Sequence, residues 1–224
     1  MEKPYGVSAA DADDLDRALH ALVGEDAIYR VDHFLSEPGV NTAAARVAAE
    51  GAPETLSLVF EESLGLEGRA EFYDSTGAAE DMVQSHLIQS AARILAGGPN
   101  PTRVREVLDS FELAPGSVKR GRYAGYAEEA GVDPSRETET LIEVELEAPE
   151  TRVTLRTGKG FREDVKEIQG VPLANGPLSP YGNVIRGVVE RDHTAFVPEG
   201  AAQAAWRLMD DIKAAMAQAP LEEY

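Results

Sequence analysis

The stretch TETLIEVELEAPETRVTLRTG, residues 138–158, alternates apolar and polar side chains on either side of Pro149-Glu150. A period of two marks a strand with one buried face, so the stretch predicts strands over 138–148 and 151–158 joined by a tight connection. The same alternation in TLSLVFEE (55–62) and RAEFYD (69–74), separated by the turn-like SLGLEG, predicts an antiparallel strand pair. SVKRGRYAGY adds one more strand. The strands are grouped and the helical patterns lie mostly at the ends, which predicts an α+β domain: a mainly antiparallel sheet with helices packed on one face. No G-x-G-x-x-G follows a strand, so a dinucleotide-binding half is not part of the reading.

Four helices are predicted. In SAADADDLDRALHALVG (8–24), Ser8 is placed as N-cap, Asp11 completes an S-x-x-D box, and Leu15, Ala18, Leu19 and Leu22 share a face. In GAAEDMVQSHLIQSAARILAGG (77–98), Val83, Leu87, Ala91 and Ile94 recur at helical spacing, with Ser75 or Thr76 as cap. At about 100° per residue, His86 falls on the border of that apolar face, beside Met82 and Arg93. PTRVREVLDSF reads as a short helix capped by Thr102. EGAAQAAWRLMDDIKAAMAQA turns Ala202, Ala205, Trp206, Met209, Ile212 and Met216 inward. VPLANGPLSPYG, rich in proline and glycine, reads as irregular.

The chain of 224 residues is 43% hydrophobic, enough for one ordinary core. Forty acids against 21 bases leave a net charge of −19, which argues against nucleic acid as a partner. That background makes each base in a pocket informative. No run of about 18 apolar residues occurs and the N-terminus lacks a signal-peptide layout, so the expectation is a cytoplasmic protein with no membrane partner. With no cysteine and no HExxH-type histidine spacing, no metal is expected.

Six ordered segments resemble one family, the glucose-6-phosphate dehydrogenases. EKPYG (2–6) is similar to that family's EKPFG signature, and IYRVDHFL (28–35) to its I-[YF]-R-[IV]-D-H-Y-L motif. FEESLGLEGRAEFYDSTG (60–77) resembles the segment around F-x-E-x-x-G-x-E-G-R, and DMVQSHLIQ (81–89) the D-x-[MV]-Q-N-H-x-x-Q helix. LRTGKGF (155–161) resembles R-x-G-K-x-[LM], and HTAFVPEGAAQAAWRL (193–208) the H-F-V-x-x-x-E-x-x-x-A-W-[RK] ending. The resemblance implies a remnant of the nucleotide-binding domain over 1–27 and the family's C-terminal substrate and oligomerisation domain over 28–224. Most of the Rossmann domain would be absent, supplied upstream or by a separate nucleotide-binding chain.

Family members pass a hydride from C1 of a hexose 6-phosphate to NADP. The resemblance makes His86 the base that takes the C1 hydroxyl proton and Asp32 the carboxylate that orients it. Imidazole suits the task, because its ordinary pKa lies near neutrality. Lys3, His33, Glu62, Asp81 and Lys159 match substrate-binding positions, and Lys3 and Pro4 match cofactor contacts. Taken alone, Glu62 reads as a strand-end charge, Asp81 as a first-turn helix acid and His33 as a surface turn residue. A homo-oligomer is implied as well.

Three departures bear on the substrate. Phe34 stands where the family has Tyr, Glu37 where it has a phosphate-binding Lys, and Asp164 where it has a base, with Arg162 or Lys166 able to substitute by a small shift. The segment from Gln169 to Tyr181 is also shorter than the family's. An unphosphorylated or amino sugar is therefore an alternative substrate, and a catalytically silent sugar-binding or assembly module is a third reading.

Overall fold

The period-two segments form the centre of a sheet because each buries every second side chain. In β1 (Thr55–Glu61) these are Leu56, Leu58 and Phe60. β2 (Glu112–Leu113) and β3 (Lys119–Arg122) precede β4 (Leu141–Glu147), which buries Ile142, Val144 and Leu146, and β5 (Arg152–Gly158), which buries Val153 and Leu155. Each such side chain contributes about 1.5–3 kcal/mol by leaving water. The opposite face is polar: Arg156 donates from Nε to Glu61 at 2.6 Å and from Nη1 to Glu143 at 3.0 Å. β6 (Val165–Ile168), β7 (Val171–Pro172) and β8 (Leu221–Glu223) complete the sheet. Its order is β7-β6-β1-β5-β4-β3-β8, with β2 also on β4.

The computed structural model describes residues 5–173 and 176–224. Among these residues five of the seven strand pairings are antiparallel, while β1 with β5 and β3 with β8 run parallel. The fold is α+β with a mainly antiparallel sheet, as the sequence predicts, and the two parallel pairings make it mixed.

The helices cover the apolar face. They are α1 (Ala9–His20), α2 (Pro38–Glu50), α3 (Ala70–Ala78), α4 (Ile88–Leu95), α5 (Pro101–Ser110), α6 (Pro180–Glu190) and α7 (Ala201–Met216). A π-helical segment, Ala79–Leu87, joins α3 to α4. α7 buries Ala202, Ala205, Trp206, Met209 and Ile212, and Met216 is half-buried. None of the described helices is long and apolar enough to cross a membrane.

Four local expectations are corrected. Residues 70–78 are helical, bent at Gly77, rather than a strand: Ala70, Tyr73 and Asp74 are buried at i, i+3 and i+4, a helix period that the alternation of RAEFYD masked. Asn100, not Thr102, caps α5, accepting from Arg103 N–H at 3.1 Å, and Pro101 follows at the first helical position. Neither Ser75 nor Thr76 caps the next helix; both hydroxyls bond back to the Phe72 carbonyl. In α1, Ser8 is the N-cap as expected and Leu15 and Leu19 pack against the core, but Ala18 is exposed, Leu22 lies past the helix and is exposed, and Ala12 and Asp16 are the buried residues.

That buried Asp16 is a hub. It accepts from Arg30 Nη2 at 2.6 Å, from Gln203 Nε2 at 2.6 Å and from the Tyr5 hydroxyl, while Trp206 Nε1 donates to the Tyr5 carbonyl at 3.0 Å. Burial pushes the Asp16 carboxyl up, but these donors outweigh it and hold it below the usual range. The hub locks α1 against α7 and fixes Arg30, two residues before Asp32.

Candidate active site

Asp32 caps the 3-10 turn His33–Ser36 with its side chain, Oδ1 accepting the Phe34 N–H at 3.0 Å. A short acid is favoured there because it satisfies an otherwise orphaned donor. The same oxygen meets His86 Nδ1 at 2.5 Å, with both residues about 1% exposed. A carboxylate on Nδ1 fixes the tautomer and leaves Nε2 as the ring nitrogen open to a proton. The ring is held sideways too. Phe34 stacks on it at 4.0 Å between centroids and 10° between planes, and His33 meets it edge-on at 4.9 Å. Tyr181 stacks on His33 at 4.6 Å.

The π-helical segment explains why His86 is buried rather than at a face border, as projected from the sequence. That projection assumed α-helical spacing, whereas i→i+5 bonding brings residues five apart to one side. Asp81 and His86 are such a pair, and both line the same cleft. Ser85 steadies the widened turn, its Oγ reaching the carbonyls of Glu80 at 3.0 Å and Asp81 at 2.8 Å. At the front of the segment Gly77 has φ 65° and ψ 179°. The buried Glu139 carboxylate accepts the Ala79 N–H at 2.9 Å, and its pKa is pushed up to about 7 by burial. Two turns beyond His86 the buried Arg93 donates to the Thr194 carbonyl. Burial lowers its pKa to about 10, so it stays positive at neutral pH and is attracted to Asp32.

The parallel pairing of β1 and β5 supplies the other wall. Glu61 is in register with Gly158, so the next residues, Glu62 and Lys159, emerge side by side. Lys159 Nζ donates to Glu62 Oε2 at 2.6 Å, and Lys166 Nζ lies 3.6 Å from Oε1. Lys159 is nearly closed to solvent, and the Tyr224 hydroxyl donates to its carbonyl at 2.6 Å.

These walls enclose a cleft of about 460 Å³. His33, Glu62, Asp81, His86 and Lys159 all line it, with Asp32 directly behind His86. Lys3 and Pro4 lie outside the described residues. Of the three departures, Phe34 and Glu37 line the cleft, whereas Asp164 is held outside it by Ser63, whose N–H and hydroxyl both donate to it at 2.7 Å. Sequence reasoning missed Tyr181 and Arg69 as lining residues. Tyr181 lay in a stretch read as irregular; Arg69 lay at the start of a segment read as a strand.

A buried base-and-carboxylate pair beneath a cleft of carboxylates and lysines can bind a polyol and accept a proton from it. The family model described as "Glucose-6-phosphate dehydrogenase, C-terminal domain" matches residues 52–171, more than half of the chain, and the "NAD binding domain" model of the same name matches residues 1–41. The chain belongs to the glucose-6-phosphate dehydrogenase family. It is 32% identical over 191 residues to glucose-6-phosphate 1-dehydrogenase 1 of Mycobacterium tuberculosis, covering 75% of this chain and 41% of that protein. It thus spans about two fifths of that curated relative. Among solved structures, it superposes on a glucose-6-phosphate 1-dehydrogenase from Mycobacterium avium with a TM-score of 0.81 at 24% identity, covering 100% of this chain and 65% of that one. A glucose-6-phosphate dehydrogenase in complex with glucose-6-phosphate gives 0.83 at 19% identity, covering 100% and 64%. At those identities the likeness speaks for the fold.

Proposed function

We propose that this chain is the sugar-binding, proton-accepting part of a glucose-6-phosphate dehydrogenase-family enzyme, oxidising C1 of a hexose or hexose 6-phosphate to the lactone. The observation that carries the reading is the 2.5 Å contact of Asp32 with His86 Nδ1 at the wall of a cleft that also holds Glu62, Asp81 and Lys159. His86 Nε2 takes the C1 hydroxyl proton. Asp32 holds the ring in the productive tautomer and stabilises the imidazolium that forms. Glu62 and Asp81 accept hydrogen bonds from ring hydroxyls, and Lys159 and His33 donate to the sugar. The family resemblance assigns Lys3 a sugar-binding role and Lys3 and Pro4 a cofactor-binding role, both outside the described residues.

NADP, when bound, supplies the hydride acceptor. Among the described residues no strand-to-helix glycine turn offers a dinucleotide cradle. We assign residues 1–27 to the nucleotide-binding domain and 28–224 to the sugar domain, with most of the former on a separate segment or chain. We place the protein in the cytoplasm as a homo-oligomer.

Sugar titration of the isotope-labelled chain, followed by NMR, tests the reading. Hexose or hexose 6-phosphate at millimolar concentration should shift signals of His86, Glu62, Asp81 and Lys159. No shift with either would overturn it. The chain alone should reduce no NADP; turnover without a further domain would contradict the assignment of the nucleotide site elsewhere.

A further inference from the structure

Of the two lysines in the cleft wall, Lys166 is exposed and Lys159 is buried, and the backbone of Lys159 is held on both sides. Its N–H donates to the Thr140 carbonyl at 2.9 Å, and its carbonyl accepts the Tyr224 hydroxyl at 2.6 Å. The turn that follows is tight. Gly160 has φ 72° and donates its N–H to the Leu64 carbonyl at 3.1 Å, and a Cβ there would come within 2.8 Å of the Tyr123 ring. From this backbone Lys159 Nζ reaches Glu62 at 2.6 Å and stands 5.7 Å from the centre of the Tyr73 ring.

What each group can donate fixes the direction of the bonds behind Lys159. A carbonyl only accepts, so the Tyr224 proton goes to Lys159. Thr140 Oγ1, 2.9 Å from the Tyr224 oxygen, therefore gives its proton to that oxygen and itself accepts the Tyr123 N–H at 3.0 Å. Tyr123, Thr140, Tyr224 and Lys159 thus make one run of donors pointing the same way, in which each bond polarises the next. Burial pushes the Tyr224 phenol up, so the run keeps its protons at neutral pH.

Tyr224 is anchored in turn. Its N–H donates to the Arg122 carbonyl at 3.2 Å, its backbone oxygen accepts the Ala124 N–H at 3.0 Å, and its ring stacks on Phe161 at 5.1 Å. A Cβ on Gly121 would come within 3.0 Å of that ring, so the bare strand position is what admits it. A lysine side chain has several rotatable bonds, and ordering it costs entropy. Such a donor counts in recognition only when its neighbours hold it within about 0.5 Å of the productive place.

We propose that Tyr224, which does not line the cleft, is a positioning residue for Lys159: its hydroxyl fixes the backbone from which the Lys159 ammonium reaches the sugar. The inference rests on the sugar-binding reading above and adds to it a residue that acts on the sugar only through Lys159.

NMR of the 224-residue chain carrying ¹³C-labelled lysine, beside its Tyr224→Phe variant, tests it. The substitution removes one oxygen and keeps the ring, so the melting temperature should fall by no more than about 4 °C. The ¹³C signals of the Lys159 carbonyl and Cε should move while those of His86 stay in place. Glucose and glucose 6-phosphate, titrated separately, should each bind about three- to tenfold more weakly than to the unaltered chain. Thr140→Val, which takes away the hydroxyl that donates to Tyr224, should move the same Lys159 signals in the same direction and by less; it reads the run independently should Tyr224→Phe not fold. Unchanged affinity for both sugars in the folded Tyr224→Phe variant overturns the inference and leaves the sugar-binding reading standing. So does a loss of thermal stability with the Lys159 signals in place. Binding of neither sugar by the unaltered chain overturns both.

Discussion

The carboxylate of Asp32 and the imidazole of His86, 54 positions apart in the chain, meet at 2.5 Å with both side chains closed to solvent. Asp32→Asn keeps the shape and removes the charge that holds the proton on Nδ1. The ¹⁵N spectrum of His86 should change from a single Nδ1–H form to a mixture of tautomers. In an enzyme completed with its nucleotide domain, turnover should fall by about 10²–10⁴-fold for Asp32→Asn and for His86→Ala. An unaltered ¹⁵N pattern in Asp32→Asn would remove the orienting role.

The Glu62–Lys159 pair should respond asymmetrically. Glu62→Gln leaves a closed-off ammonium without its counter-ion, a situation that costs about 3–5 kcal/mol when fully buried. Because Glu62 is about a third exposed, a loss of about 2 kcal/mol is expected in urea denaturation. Lys159→Met leaves a carboxylate that still has Lys166 and water, and should cost less than about 1 kcal/mol. Equal losses would show that the lysine is solvated.

Glu139 should make stability fall with rising pH. Its carboxyl, raised to about 7 by burial, holds a proton in the folded chain that the unfolded chain has already released. The contribution is therefore fully present below the unfolded value of about 4.3 and is lost as pH rises through about 7, a loss of up to about 3.5 kcal/mol. Glu139→Gln retains an oxygen for the Ala79 N–H and carries no charge. The stability difference between the two proteins should favour the variant increasingly from pH 5 to pH 8; a difference independent of pH would count against it.

Gly77 should tolerate no side chain. Its φ of 65° with ψ of 179° is a conformation that residues with a Cβ rarely adopt, and an added Cβ would collide with the Glu139 carboxylate. Gly77→Ala is expected to cost about 2 kcal/mol or more and to displace the His86 signals in the NMR spectrum. A folded variant with an unshifted His86 would uncouple this bend from the site.

The sequence carried the site further than it carried the local structure. Asp32, His33, Glu62, Asp81, His86 and Lys159 line or back one cleft, and it was the family resemblance of their motifs, not the residues taken alone, that marked them. What escaped was geometry set by contacts distant in the chain. RAEFYD shows an apparent alternation but folds as the start of α3, burying Ala70, Tyr73 and Asp74 at helical spacing. The burial of His86 depends on a π turn whose serine-to-carbonyl bonds no periodicity reveals. The parallel joint of β1 with β5 joins segments 97 residues apart and leaves no trace in either segment alone.

That joint has a consequence for how the protein can change. Glu62 and Lys159 each stand one residue past the last in-register pair, Glu61 with Gly158, and their N–H groups still donate to backbone carbonyls, of Gly158 and Thr140, each at 2.9 Å. Exchanging Glu62 for an uncharged residue keeps those backbone bonds but strips the closed-off Lys159 of its counter-ion. The sheet and the charge of this wall can thus change separately when both members of the pair change together.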